Sequence, residues 1–151
     1  MAIEAQFSEK LENYKNLVNS AKMCMMITDE KDEKFLCGRP MTISKVDDDG
    51  CIWFFSKETW YWIDEMEDDK IITLTFLSDT DNTYLMVHGK ATFSESKKKM
   101  DKLWSDDVQD LFPEGLDDPH LILIKIVPEE VHSWDDTENR MMLLLNFKNN
   151  H

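Results

Sequence analysis

Positive charge is scarce in this chain of 151 residues. Lys and Arg together number 17 against 31 Asp and Glu, the net charge is −14, and Arg39 and Arg140 are its two arginines. A surface that grips duplex nucleic acid needs clustered cations to displace counterions, so nucleic acid and anionic membrane are excluded as expected partners. The one basic cluster, "SKKKMDK" (96–102), is followed by "LWSDD" and reads as a solvated helix face. Long apolar runs are also missing: "MCMMI" (23–27), "CIWFF" (51–55) and "MMLLL" (141–145) are far too short to cross a bilayer. Cys24, Cys37 and Cys51 form no CxxC pair, and His88, His120, His132 and His151 are scattered. Reduced thiols and no metal site are the simplest reading. The N-terminal "MAIEAQFSEK" has no basic start followed by an apolar stretch, so no secretory signal and a cytoplasmic location are expected.

Catalytic signatures are absent as well. No GxSxG elbow, HExxH helix or GxxxxGK[ST] loop occurs. His88 is a lone strand histidine, and the Asp-Asp pairs at 106–107 and 117–118 read as exposed acidic loops. No residue is singled out as catalytic.

What the chain does contain is a succession of short apolar segments. Ser8 is a candidate cap for a first helix carrying Leu11, Tyr14, Leu17 and Val18 at helical spacing. Strands are predicted over 22–28, 35–46, 51–56, 71–78, 83–94, 120–128 and 129–135. Pro40 lies inside the second of these and should occupy an edge, bulge or ligand-facing gap, because proline cannot donate to a ladder. "DDDG" (47–50) reads as a hairpin turn, "DTDN" (79–82) as a loop, and Gly89 as a bulge or barrel corner. A short helix is expected over about 58–68, and one or two more over 95–112. Strands joined mostly by turns favour a single antiparallel domain over 1–151, a mainly β barrel with peripheral helices.

Five tryptophans are many for this length. In "FFSKETWYWIDEM" (54–66), helical geometry puts Thr59, Trp62, Ile63 and Met66 on one face and Trp60 on another. Two readings stand: Trp62 as core with Trp60 as a partner contact, or both as a stacking platform for a planar ligand.

Several segments, in order, resemble the general stress protein 26 family, within the pyridoxamine 5′-phosphate oxidase-like, flavin-binding split barrels. They are "GRPMTI" (38–43), "DDDGCIWFFS" (47–56), "YLMVHGKATF" (84–93) and "LWSDDVQDLFPEGLDDPHLILIKIVPEEVHSWD" (103–135). The likeness covers about residues 10–135 and leaves 136–151 as a C-terminal tail, whose "MMLLLNF" (141–147) must be buried, with the partner subunit as its expected cover. It implies a split barrel, a homodimer, flavin mononucleotide (FMN) at the dimer interface and flavin-dependent redox chemistry on an unknown substrate. Pyridoxamine phosphate oxidation itself would need a second phosphate pocket, for which the chain has no basic set. Carried over by residue, the likeness implies that Arg39, Pro40 and Met41 run along the flavin. Phe55 and Ser56 would meet its ribityl phosphate end, and Trp104 and Phe112 would approach the ring from the other subunit.

The family usually follows its Phe-Phe-Thr/Ser strand with a Ser-x-Lys pair aimed at the phosphate. Here those positions fall on Trp60 and Trp62, leaving Lys57, Thr59, Ser56 and Arg39 as candidate phosphate contacts. Three arrangements remain open: FMN held by the shifted contacts, another planar molecule held between indoles, or a cofactor-free dimeric stress protein whose pocket is filled by Trp60 and Trp62.

Overall fold

The computed structural model describes residues 2–30, 32–63, 66, 71–78 and 83–148. Helix α1 (Ala2–Ala21) buries Tyr14 and Val18 completely. Ser8 lies inside this helix and does not cap it, contrary to expectation. The upstream Ala, Glu and Gln residues are strong helix formers, and they extend the helix past the serine. The Tyr14 hydroxyl donates to the Gly50 carbonyl at 2.7 Å, and burial pushes its pKa well above the usual phenol range. That contact ties α1 to the 47–50 turn, where Gly50 adopts φ +93°, a conformation that favours glycine.

The strands form one antiparallel sheet in the order β2-β1-β5-β6-β7-β4-β3, with β8 attached to β7. Their ranges are β1 Met23–Thr28, β2 Cys37–Thr42, β3 Lys45–Val46, β4 Ile52–Lys57, β5 Ile72–Ser78, β6 Thr83–Ser94, β7 Leu121–Asp135 and β8 Arg140–Asn146. The segment expected as a single strand over 35–46 is divided, because its two halves serve opposite ends of the sheet. β2 pairs with β1, while β3 pairs with β4. At the crossing, Ile43 N donates to Lys22 O at 2.8 Å and Ser44 N donates to Trp53 O at 2.9 Å. One continuous stretch therefore draws the two ends of the curled sheet together, as the split barrel expectation requires. Pro40 sits on β2 at the end of the ladder order, where its missing N–H leaves no gap on a second neighbour.

The segments expected as two strands over 120–128 and 129–135 are one strand, β7. Its first half pairs with β4 and its second half with β8, the tail strand. The β6–β7 register shifts between His88 and Gly89, the bulge anticipated at that glycine. The tail finds cover within its own chain: Leu145 and Phe147 enter the barrel core, and the Phe147 ring meets Phe7 edge-on at 5.8 Å.

Alternation along β4 divides the interior in two. Ile52 and Phe54 point into the barrel core, whereas Trp53 and Phe55 enter a second cluster under α2 (Lys97–Leu103) and α3 (Asp106–Leu111). Ser96 and Ser105 cap these helices by accepting from Lys99 N and Val108 N. The helix expected over 58–68 is, where described, a single 3-10 turn over Tyr61–Ile63; positions 64–65 and 67–68 lie outside the described residues, as does the 79–82 loop.

Candidate functional site

The sharp turn after β4 sends Trp60 and Trp62 in different directions. Trp62 is buried within the barrel core beside Met66, while Trp60 is 37 % exposed. The Trp60 ring stacks on Phe112 at 5.8 Å between centroids and 26° between planes, and reaches Trp62 at 5.9 Å and 39°. Phe112 in turn leans on Phe55 at 6.3 Å, and Trp104 meets Phe55 edge-on at 5.3 Å. An aromatic ladder thus runs from the end of β4 to the end of α3, all of it within one chain.

Beside this ladder lies a pocket of about 230 Å³. Pro40 and Met41 of β2 form one side, with Thr42, Ser44 and Met23 extending it. Phe55, Trp60 and Phe112 form the other, closed by Val108 and Leu111 of α3. None of these ten lining side chains ionises; Thr42 and Ser44 supply hydroxyls and Trp60 an indole N–H. The volume falls below the roughly 300–1,000 Å³ typical of sites for drug-sized ligands.

Five of the residues singled out from sequence therefore meet at one pocket: Pro40, Met41, Phe55, Trp60 and Phe112. The other six do not line it. Thr59 is exposed on the turn, and Trp104 sits behind Phe55 with its indole N–H donated to Gln109 Oε1 at 3.2 Å. Ser56 shares the barrel-facing side of β4 with Phe54 and is completely buried. Arg39 turns away from neighbouring Pro40 and lies over the Trp62 ring, 4.5 Å from its centroid.

Arg39 and Lys57, the candidate cations, are both engaged. Arg39 Nη2 donates to Glu30 Oε1 at 2.7 Å and to Thr28 Oγ1 at 2.9 Å. The Glu30 side chain is only 3 % exposed, so this is a largely desolvated pair. Lys57 Nζ lies 3.2 Å from Asp118 Oδ2 and 3.6 Å from Glu114 Oε2. The Asp118 carboxylate is held below the usual carboxylate range, chiefly by the His120 backbone amide that donates to Oδ1 at 2.9 Å and also by Lys57. Among the described residues three polar atoms are buried without a hydrogen-bond partner: Arg39 Nη1 and Ser56 Oγ on the barrel side, and Asp118 Oδ2, which keeps only its ion pair with Lys57.

Sequence reasoning missed Glu30 and Asp118. Glu30 belongs to the charged run 29–34, where nothing distinguishes it from its solvated neighbours. Asp118 was expected in an exposed acidic loop, yet it is 3 % exposed while Asp117 stays in solvent. The proline that follows it is a signal that could have marked it, since Asp before Pro favours a turn in which the carboxylate caps a later amide. His88, weighed as a base, does not line the pocket. Its Nδ1 lies 2.9 Å from Thr73 Oγ1, its ring meets His132 edge-on at 5.2 Å, and desolvation followed by that neighbour lowers its pKa.

A family model described as pyridoxamine 5′-phosphate oxidase like matches residues 9–151. General stress protein 26 of Bacillus subtilis (strain 168) is 33% identical over 79 residues, 50% of this chain and 55% of that protein, so the match spans about half of its length. Among solved structures, a Clostridium acetobutylicum protein related to general stress protein 26 superposes with a TM-score of 0.78 at 19% identity, covering 95% of this chain and 99% of that one. A general stress FMN/FAD binding protein from Xanthomonas citri gives 0.70 at 22% identity, covering 91% and 93%. These structural likenesses carry the fold, and the family match spans most of the sequence. The chain belongs to the pyridoxamine 5′-phosphate oxidase-like family.

Proposed function

We propose that this protein binds a flavin-type planar ring in the pocket between Pro40–Met41 and the Trp60–Phe112 stack, and that it does so as a homodimer. The observation that carries the reading is the pocket itself: apolar, aromatic on one side and free of ionisable lining groups. Such walls suit a flat heteroaromatic ring, while Thr42 and Ser44 can satisfy its edge atoms. A bound flavin would supply electron or hydride transfer; the chain supplies orientation and excludes water. The described lining residues include no acid or base, so the wall itself offers no group to move a substrate proton.

Trp60 gives the direct test. Stacking of a planar base on an aromatic side chain contributes about 1–3 kcal/mol. Titration with lumiflavin, the bare ring, followed by its fluorescence, is expected to show binding that Trp60→Ala weakens roughly tenfold. Failure of the unmodified protein to bind the ring would sink the reading. So would an unaltered affinity in the variant.

The dimer is supported by the outer face of the sheet. Met23, Met25 and Leu77 project from β1 and β5 into solvent, with Leu77 71 % exposed. Contiguous apolar surface of this kind marks an interaction site. Met23 also lines the pocket, so a second copy seated on this face would cover the pocket's open side. Met25→Lys places a charge at the centre of that face and is expected to convert the dimer to monomers in sedimentation equilibrium. A variant that sediments like the parent protein would move the interface elsewhere.

A further inference from the structure

Resting on the ring-binding reading above, we infer that the pocket selects uncharged planar ligands, and that a phosphate tail weakens binding where the fold's flavin mononucleotide would require it to help. The ring end of that nucleotide fits the residues present, and the phosphate end does not. A phosphate dianion needs charge-assisted donors with charge to spare. Arg39, the arginine nearest the pocket in sequence, has its charge neutralised by Glu30 at 2.7 Å and its face covered by Trp62. Strand alternation puts it on the β2 face opposite Pro40, the face shared with the core residue Met41. Lys57 faces two carboxylates, Asp118 and Glu114, so its charge is already committed, and Lys97 Nζ is engaged beside it by the Leu116 and Asp118 carbonyls. Trp60 and Trp62 occupy the turn between these two groups and carry no charge.

The net charge of −14 over the whole chain acts in the same direction, against a phosphate. A phosphate held by free cations loses affinity as salt screens the attraction. A phosphate tolerated on a strongly acidic protein gains affinity as salt screens the repulsion. The sign of the salt dependence therefore distinguishes the two arrangements without any mutation.

The experiment titrates the intact protein with riboflavin and with flavin mononucleotide, side by side, at about 20 mM and 300 mM salt, which spans the regime where screening changes most. Riboflavin is expected to bind at least as tightly as its phosphate ester and with little salt response, while the ester binds more tightly at high salt. A phosphate ester that binds tenfold more tightly than riboflavin, and weakens with salt, would overturn this inference while leaving ring binding intact. Binding of neither compound would remove the ring-binding reading on which it rests. Glu30→Gln supplies a second readout. Its side-chain carbonyl still accepts from Arg39, but the guanidinium charge is no longer cancelled. The ester's affinity should rise about tenfold with riboflavin unchanged, and an unaltered ester affinity in the folded variant would show that Glu30 is not the neutralising group.

Discussion

Replacing Glu30 with alanine is expected to destabilise the protein by about 3 kcal/mol, the lower end of the range for breaking a buried ion pair. The loss comes from what remains: a guanidinium whose side chain is 14 % exposed, already short of a partner at Nη1, and then deprived of its carboxylate. Residual solvent and the Trp62 face compensate in part, which places the figure below that of a fully enclosed charge. Urea denaturation should show the midpoint falling with an unchanged slope. The double variant Glu30→Met with Arg39→Met should recover most of the loss, because an apolar pair of similar volume avoids desolvating two charges. A single-variant cost below about 1 kcal/mol would mean that the pair behaves as a surface ion pair, and the electrostatic account of the site would fall with it.

Gly89→Ala is expected to be comparably damaging for a steric reason. A Cβ at this position would sit 2.4 Å from the Val127 carbonyl oxygen and 3.0 Å from Pro128 Cα, both backbone atoms that cannot rotate away. The cost falls on the bulge where β6 changes register and where β7 passes from its β4-paired half to its β8-paired half. A loss of about 3 kcal/mol is the upper range for overpacking, and in a domain of this size it corresponds to a fall in Tm of roughly 10 °C. Gly38→Ala is the internal comparison. Its added Cβ meets the terminal methyl of Met25 at 3.1 Å, the end of a flexible side chain, so a cost below about 1 kcal/mol is expected. Equal melting temperatures for the two variants would show that the close approach at Gly89 is relieved by strand movement.

The fold was legible where a residue's role follows from local chemistry. The Gly89 bulge, the edge position of Pro40 and the 47–50 turn are consequences of a missing side chain, a missing N–H and a positive φ, and each operates over a few residues. The division of 35–46 was not legible, because it depends on which strands lie at the two ends of a curled sheet. The same limit governs the pocket. Its aromatic wall could be assembled from Phe55, Trp60 and Phe112 through the family resemblance. The carboxylates that neutralise its neighbouring cations could not, since Glu30 and Asp118 are indistinguishable in sequence from the many acidic residues that remain in solvent. Trp62 illustrates the middle case. Helical spacing grouped it with Met66 as core, and both are buried, although the described backbone there makes one 3-10 turn.

The stretch that closes the barrel has a further bearing on molecular shape. Pro40, Met41, Thr42 and Ser44 form a wall of the cavity and belong to the same peptide that is stitched to Lys22 on one side and Trp53 on the other. That wall cannot retreat without unfastening the seam. Gap width is therefore a property of chain connectivity, whereas the opposite wall can adjust only by tilting the Trp60–Phe112 stack. Under the proposed ring binding, a slot with one wall fixed in this way would reject puckered or bulky guests on thickness alone, whatever their polarity.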